Sequence, residues 1–525
     1  MDYGRLIEEI RKGHDSIEII AEREDEVYLD VDREDFGKVC LLLHKRLHSP
    51  VMTYFASDER KDSKVFLLYC VFLSTEYKKW FFVVMKIPED EPRFNSIAKE
   101  IYSASLFERE IKEMYGLEPV GNPDVRRLRL HDEVWPAECY PLRKDFKLTK
   151  TDRTGKGEFH FKKIEGEGVF EVPVGPVHAG IIGPGHFRFS AAGEPIINLE
   201  IRLGWTHRGV EKLFEGKSIP EALNLSECIC GDAAFSYSTA FCKAIEKIIG
   251  VNPVQEASVL RAMLLELERM SNHVADIGGI ALDVGFTFPA NLAAIIKENI
   301  LAVNKNLTGS RYLKNMNCIG GLKKDLNSDD KAMLLVSLKS IEKDFSELEG
   351  ILMSSISFMD RVDTAGILRK KTAEDLGIVG LAARASGIPL DLRKVFPEKD
   401  DVVRFQAAKE EKGDVLARLK IRLFEFKESV RLIREFSCKI KSEKGDYTAD
   451  FTPKEGFALG YVESWRGPVL FWIKLNSHGL IERCKITDPS FHNWQGLSFA
   501  VLGNIIPDFP LCNKSFDLTY SGNDL

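Results

Sequence analysis

The longest amphipathic pattern of the chain lies at residues 253–276, which read PVQEASVLRAMLLELERMSNHVAD. A helix would place four apolar residues of this segment on one stripe, while its charged residues fall mostly elsewhere. The stripe consists of Val259, Met263, Leu267 and Met270. The pattern therefore predicts a long packed helix, and similar patterns predict two more long helices at residues 328–360 and 403–441.

The rest of the pattern divides the chain into parts of different character. Residues 1–146 alternate short helical segments with strand-like runs such as WFFVVMKI at residues 80–87. A stretch rich in glycine and lysine follows and is typical of a linker, assigned to residues 147–171. Residues 172–525 begin with β-like pieces, become strongly helical, and return to β character after Ala458. We predict an α+β protein with an N-terminal α/β domain and a mainly α-helical second domain with β-rich ends.

Composition narrows the class of protein. With 44% hydrophobic residues, 29% charged residues and a net charge of −7 without long single-sign blocks, the chain is typical of a globular protein and gives no sign of nucleic-acid binding. The most apolar run, residues 65–73, is about half as long as a membrane-spanning helix requires. No export signal is visible, so the ten cysteines are expected to be free thiols. We predict a cytoplasmic protein that docks on a membrane partner.

One segment of the N-terminal domain carries a specific motif. It reads SLFEREIKEMYGLEPVGNPDVRRLRL at residues 105–130, and PLRKDF follows at residues 141–146. Taken alone, its first charged residues indicate only a solvated helix face. With both later motifs in register, the segment resembles the 30 kDa subunit of respiratory complex I. That resemblance implies a scaffolding role for this domain.

Four motifs of the second domain carry a further resemblance. They are GPVHAGIIGPGHFRF from Gly175, RLGWTHRGVEKLFEG from Arg202, GLAARASGIPLDLRK from Gly380 and ERCKITDPSFHNWQGL from Glu482. They are similar to the 49 kDa subunit of complex I and, more closely, to the large subunit of group 4 membrane-bound hydrogenases and formate hydrogenlyases. Two domains on one chain match the fused arrangement of formate hydrogenlyase. The resemblance implies a small iron-sulfur subunit as electron donor, and antiporter-like and complex I subunit 1-like membrane-arm subunits as further partners.

The hydrogenase resemblance raises the question of a nickel-iron centre. Such hydrogenases hold their metals with four thiolates from two C-x-x-C pairs, and this chain contains no C-x-x-C pair. Cys230 keeps the first ligand position, whereas Ala233, Thr519 and Gly522 occupy the other three. Since this metal pair needs soft sulfur donors, we expect no nickel-iron centre. A glutamate that usually precedes Pro-Gly-His in this group is also absent, because Gly183 stands there.

Complex I uses the same cavity for a quinone, which it binds with a histidine, an aspartate and a tyrosine. By resemblance, His178 matches the histidine and Asp283 the aspartate. In such a pair the carboxylate orients the imidazole, which can then donate a proton to the reduced quinone. The tyrosine position falls at or beside Gly231, so the third member is absent unless Tyr237 takes its place. The candidate catalytic residues are therefore His178 and Asp283, with quinone as the candidate cofactor.

Two arginines beside glycine-containing turns extend this list of cofactor-binding candidates. Arg384 lies in ARASG and Arg466 in ESWRGP. Either could anchor a buried anionic or polar group, and arginines in such positions also serve as ion-paired struts. His207 and Arg208 occur in both branches of the resemblance, so we predict that they stabilise the fold.

Other chemistries find no support in the sequence. Neither a phosphate-binding G-x-x-x-x-G-K-[ST] loop nor a dinucleotide-binding G-x-G-x-x-G motif occurs, so NADH is not expected to bind. We predict a metal-free, complex I-like coupling subunit that links electron transfer from an iron-sulfur partner to ion translocation. Three alternatives remain open: an active group 4 hydrogenase or formate hydrogenlyase large subunit, a quinone-reducing NADH dehydrogenase-type subunit, and a purely structural subunit.

Overall fold

A computed structural model of the chain describes residues 3–13, 17–147, 155, 157–179, 182–397, 404–440 and 447–525. The N-terminal part contains seven strands and four α-helices within those ranges. The strands are β1 (Glu18–Glu22), β2 (Glu26–Asp30), β3 (Thr53–Asp58), β4 (Val65–Ser74), β5 (Lys79–Pro88), β6 (Arg93–Asn95) and β7 (Glu118–Val120). The helices are α1 (Gly4–Gly13), α2 (Phe36–Leu47), α3 (Arg60–Ser63) and α4 (Ser105–Tyr115).

The rest of the chain is mainly helical, with strands at both ends. Its strands are β8 (Val169–Val174), β9 (His186–Ala192), β10 (Ile196–Arg202), β11 (Asn317–Cys318), β12 (Gly321–Leu322), β13 (Gly456–Glu463), β14 (Pro468–Leu475) and β15 (Ile481–Thr487). Its helices are α5 (Val210–Phe214), α6 (Ile219–Ser226), α7 (Ala234–Ile249), α8 (Gln255–Asp283), α9 (Thr287–Thr308), α10 (Ser328–Ser354), α11 (Ile356–Val362), α12 (Lys370–Leu376), α13 (Gly380–Ala385), α14 (Leu392–Val395), α15 (Val415–Lys439), α16 (Pro489–Ala500), α17 (Phe509–Phe516) and α18 (Tyr520–Asp524). The predicted α+β class is confirmed.

The N-terminal sheet has the strand order β1-β2-β5-β4-β3 and joins the two parts of the chain. Strands β4 and β5 are almost entirely buried, which explains why they read as nearly continuous apolar runs. One face of the sheet packs on α2 and α4. The other face packs on β13 and β14, where Phe55 and Tyr69 both contact Trp472 with ring centroids 5.0 Å apart. The two parts therefore share an apolar core.

The predicted linker lies only partly within the described residues. Residues 148–154 and residue 156 fall outside them, and residues 157–168 form no helix or strand. Strand β8 begins at Val169 and belongs to a three-stranded sheet of order β10-β9-β8. The assignment of domains to residues 1–146 and 172–525 stays a prediction.

Helix α8 is the centre of the helical part and packs against α7, α9, α15 and α17. All four residues of the predicted stripe are buried. Glu266 and Arg269, on other sides of the helix, are buried as well, because neighbouring helices cover α8 nearly all round. The helix continues past the predicted end at residue 276 as far as Asp283, since Ile277, Ile280 and Ala281 prolong its buried face.

The other two long helices differ from the prediction. The helix predicted at 328–360 is broken at Ser355, whose side chain accepts a hydrogen bond from Phe358 N and begins α11. The helix predicted from residue 403 begins only at Val415, because the Asp414 side chain caps it by accepting from Ala417 N at 2.7 Å. The β-like tail forms β13–β15, yet α16, α17 and α18 follow and were not predicted. Within the described ranges, no helix has both the length and the apolar character needed to cross a membrane.

Candidate functional site

The four positions that hold the metal ligands in hydrogenases lie on two segments of this chain, one with Cys230 and Ala233 and one with Thr519 and Gly522. The two segments lie against each other. The Cys230 sulfur, in the turn before α7, lies 3.3 Å from Thr519 Oγ1 across 289 residues of sequence. Thr519 is the N-cap of α18, and its backbone N–H donates to Ser490 Oγ at 3.1 Å. His207 and Arg208 hold the same two segments, because they hydrogen-bond to carbonyl oxygens of Asp524 and Ile229 respectively.

The position of Gly522 leaves no room for a cysteine side chain. A Cβ atom built on Gly522 would lie 2.6 Å from both Asp488 Oδ2 and Thr519 Cγ2. The Asp488 carboxylate is fixed by a hydrogen bond from the Tyr237 hydroxyl and by Ser490 N, which donates at 2.6 Å. Burial raises the pKa of Asp488, although Arg466 and the Tyr237 hydroxyl oppose this rise. A carboxylate therefore takes the space next to the fourth ligand position.

The donor set does not fit a nickel-iron centre. Ala233 and Gly522 have no donor atom, and the Thr519 hydroxyl is a hard oxygen donor. Burial first, and then the nearby Asp232 carboxylate, raise the pKa of the Cys230 thiol, so the sulfur stays protonated. It donates to Asp232 Oδ1 at 2.9 Å. Within the described residues, no group of three or more His, Cys, Asp or Glu side chains is arranged to hold a metal ion.

Arg466 occupies the centre of this region. Its guanidinium donates to both carboxylate oxygens of Asp232 at 2.9 and 2.8 Å and to Asp517 Oδ2 at 3.2 Å. It also stacks on Trp465, with its central carbon 3.8 Å from the ring centroid. Arg466 Nη1 lies 3.8 Å from the Cys230 sulfur. Of the two predicted roles for Arg466, the structure displays the ion-paired strut, placed directly beside Cys230.

Further charged groups continue from Asp517 into the protein. Lys514 Nζ lies 2.5 Å from Asp517 Oδ1 and 3.7 Å from Asp276 Oδ1, and Arg422 Nε donates to Asp276 Oδ2 at 2.9 Å. Burial, together with the negative charge of Asp517, raises the pKa of Asp276 to about 7. Asp276 is therefore a buried carboxyl group that changes its charge near neutral pH. We call Cys230, Asp232, Arg466, Asp488, Asp517, Lys514 and Asp276 together the acid–arginine cluster.

A second set of buried ion pairs lies one helical turn away, between α8 and α15. Arg384 is completely buried and donates to Glu425 at 2.9 Å and to Glu463 at 2.8 Å. Glu425 also bonds to His273 Nε2 at 2.9 Å, and burial lowers the pKa of His273 to about 4. These contacts match the ion-paired strut, and the cofactor-binding role of Arg384 stays a prediction. The guanidinium neutralises two buried glutamates and so acts as a strut.

The structure does not join the two quinone candidates. His178 Nε2 hydrogen-bonds to Gly185 O at 2.8 Å, whereas Asp283 is the last, exposed residue of α8. Among the residues described, no hydrogen bond or ion pair links them, and residues 180 and 181 of the histidine loop lie outside the described ranges. Burial raises the pKa of Asp283, with Lys514 opposing this rise and Asp517 adding to it, and Gly185 in the His178 loop packs on Tyr520. Their roles stay a prediction.

The absent glutamate at Gly183 also has a structural counterpart. A Cβ atom on Gly183 would lie 2.5 Å from Tyr520 Cδ2, so the Tyr520 ring occupies the space of a larger side chain.

Sequence reasoning missed Asp488, Asp276, Asp232 and Asp517 as site residues. Only Asp488 had a local signal, because the dipeptide Asp488-Pro489 is typical of a helix start.

Comparisons with known proteins place the chain in a family. A model of the respiratory-chain NADH dehydrogenase 30 Kd subunit matches residues 29–152, and one of the 49 Kd subunit matches residues 283–450. Formate hydrogenlyase subunit 5 of Escherichia coli is 32% identical over 90% of this chain and 84% of its own length. The NADH-quinone oxidoreductase C/D protein of Phocaeicola vulgatus is 28% identical over 74% of this chain and 78% of its own length.

A solved structure shares the fold. It is that of the membrane-bound sulfane sulfur reductase, an archaeal respiratory membrane complex; one chain is 23% identical with a TM-score of 0.64, covering 68% of this chain and 99% of that chain. The chain belongs to the family of large subunits of complex I-like and group 4 hydrogenase-type membrane complexes, in the form that fuses the 30 kDa and 49 kDa domains. The resemblance inferred from the sequence motifs is thereby confirmed.

Proposed function

We propose that the chain works without a nickel-iron centre and couples electron transfer in a partner subunit to ion translocation in a membrane arm. The observation that carries this proposal is the Asp488 carboxylate next to Gly522. A cysteine at position 522 would require Asp488 to move. Asp488 is held there by a hydrogen bond, so this contact supports a region that is stabilised by hydrogen bonds and ion pairs and holds no metal.

The chemistry available in the acid–arginine cluster is proton binding. Arg466 and Lys514 keep two carboxylates charged, whereas Asp276 titrates near pH 7. A nearby redox centre that gains an electron raises the local negative charge, which favours protonation of Asp276. Protonation weakens the bond between Asp276 and Arg422 and so changes the contact between α8 and α15. Electron transfer outside the chain thus alters a helix contact inside it.

The partners follow from this role. Electrons come from the iron-sulfur cluster of a small subunit, and antiporter-like and complex I subunit 1-like proteins form the membrane arm. The chain lies peripherally on the cytoplasmic face of the membrane through this complex. The relatives that support the assignment are large subunits of such assemblies, formate hydrogenlyase and NADH-quinone oxidoreductase among them.

Nickel dependence tests the proposal. Cells that produce the natural complex are grown with and without a nickel chelator, and electron transfer through the purified complex to an artificial acceptor is measured. The proposal predicts equal rates per complex. A large fall after nickel depletion, restored by added nickel, contradicts it and favours the hydrogenase alternative.

Quinone reduction is the second candidate function. Its support is the match of His178 and Asp283 to the quinone-binding positions of complex I, together with the charges of Lys514 and Asp517 that act on Asp283. His178→Ala and Asp283→Ala should each abolish quinone reduction by the complex if a quinone is the acceptor, while His478→Ala in an exposed turn serves as the matched control. Unchanged reduction in both variants contradicts this candidate.

A further inference from the structure

A cavity of about 400 Å³ opens where the N-terminal sheet meets the helical part of the chain. Its walls come from α7, α8, α14, α15 and β13, and most of the wall is apolar. Ala262, Leu265, Leu432 and Phe396 are representative wall residues. This size and lining are typical of a site for a small organic molecule. None of the lining residues belongs to the acid–arginine cluster.

Cations surround the mouth of this cavity. Lys78, Lys394 and Arg404 have exposed side chains, and none of them makes an ion pair within the described part of the chain. Arg393 lies deeper, where its guanidinium carbon is 4.1 Å from the ring centroid of Phe405. The mouth therefore presents three exposed positive charges above an apolar interior.

The carboxylates in the wall do not cancel these charges, because both already have partners. Glu266 accepts from Arg393 at 3.0 Å, and Glu463 accepts from Arg384 at 2.8 Å. Among the residues that the structure describes, the unpaired charge at the mouth is thus positive, although the whole chain carries a net charge of −7. A local positive field against a negative background favours a negatively charged ligand.

We propose that this cavity binds an amphipathic anion, a molecule with an aliphatic or aromatic body and one negatively charged head. The body packs between Leu265 on α8 and Leu432 on α15, and the head faces Lys78, Lys394 and Arg404 at the mouth. The proposal does not depend on the metal content of the chain. Either proposal can therefore fail without the other.

Calorimetric titration of the full chain with two probes of equal body tests the charge preference. Decanoate should bind with one molecule per chain. Decyltrimethylammonium has the same alkyl chain and a positive head, and it should bind at least roughly tenfold more weakly than decanoate. Binding of decanoate should weaken as salt concentration rises, because the head interacts with exposed charges. Equal affinity for the two probes, or binding of many molecules without saturation, overturns the proposal.

Two variants test the location. The triple variant Lys78→Gln, Lys394→Gln, Arg404→Gln should weaken decanoate binding by roughly tenfold, and a matched triple variant of exposed lysines elsewhere, Lys45→Gln, Lys339→Gln, Lys343→Gln, should leave it unchanged. Ala262→Phe should block the cavity and abolish binding. If the mouth variant and its control bind decanoate equally, the site lies elsewhere and the proposal is wrong, whether or not the Ala262→Phe protein folds.

Discussion

The Tyr237 hydroxyl donates a hydrogen bond to the Asp488 carboxylate, across 251 residues of sequence, at the point where a fourth metal-binding cysteine would have to stand. Both side chains are buried. This pair, together with Arg466 and the two aspartates it contacts, fills the space around Gly522 and Cys230 with hydrogen bonds and ion pairs.

The Tyr237–Asp488 contact should contribute measurably to stability. Tyr237→Phe removes the hydroxyl donor of Asp488 Oδ2, so we expect the free energy of unfolding to fall by about 1–3 kcal/mol. Urea unfolding followed by circular dichroism measures this. Tyr312→Phe, at an exposed tyrosine, is the matched control and should change stability little. Equal effects of the two substitutions would show that the buried contact contributes nothing.

The close packing at Gly522 gives a second test. In Gly522→Ala the new Cβ meets Asp488 and Thr519 at 2.6 Å, so stability should fall by about 1–3 kcal/mol. Gly350→Ala provides the control, because Gly350 lies inside α10 with open space around it and alanine should raise helix stability by about 0.5–1 kcal/mol. Opposite signs are therefore expected for the same chemical change. A stable Gly522→Ala protein would contradict the account of the rebuilt site.

Asp276 should make stability depend on pH. Its folded-state pKa of about 7 lies above the ordinary value for an unfolded aspartate, about 3.9. Because the pKa of Asp276 is higher in the folded than in the unfolded state, its contribution to the free energy of unfolding is fully present below about pH 3.9. That contribution is lost as the pH rises through the folded-state pKa of about 7. The free energy of unfolding of the wild type, minus that of Asp276→Asn, should therefore fall between about pH 4 and pH 7 by a few kcal/mol and level off above. The same difference for Asp360→Asn, at an exposed position of α11, should stay flat, and a flat curve for Asp276 would contradict the assignment.

Arg384 should behave as a strut. Arg384→Gln leaves the charges of Glu425 and Glu463 buried without their main partner, which should destabilise the chain by about 3–5 kcal/mol. Arg361→Gln removes a half-exposed ion pair with Asp508 and should cost less than about 1 kcal/mol. Thermal unfolding of both variants measures the difference. A cofactor anchor without a structural role would leave the Arg384 variant as stable as the Arg361 variant.

Thiol chemistry reports on Cys230 directly. Cys228 and Cys438 are exposed, whereas Cys230 is buried and its raised pKa keeps it protonated. Because the thiolate is the reactive form, iodoacetamide should modify Cys228 and Cys438 first and leave Cys230 unmodified in the folded chain. Peptide mass spectrometry resolves the sites after digestion. Modification of Cys230 at the rate of Cys228 would show that its thiol is free and ionised.

Periodicity and motifs predicted part of this architecture, because they are local properties. The apolar stripe of α8 and the strand character of β5 appear in consecutive residues, so both were predictable. The break at Ser355 and the late start of α15 at Val415 were missed, because capping by Ser355 and Asp414 competes with a helical pattern that continues through both sites.

The site was predictable only where family motifs marked its positions. Cys230, Ala233, Thr519 and Gly522 were found in this way, whereas the contact of Tyr237 with Asp488 joins residues that no local pattern relates. The elevated pKa of Asp276 results from burial and from Asp517, and both depend on the packing of α8 against α17.

The nickel content of the complex purified from its natural source tests the central claim most directly. Elemental analysis by mass spectrometry, expressed per large subunit, should find iron from the iron-sulfur partner and no stoichiometric nickel. About one nickel per chain would contradict the account, because four thiolates hold such a metal and only one of the four ligand positions of this chain is a cysteine.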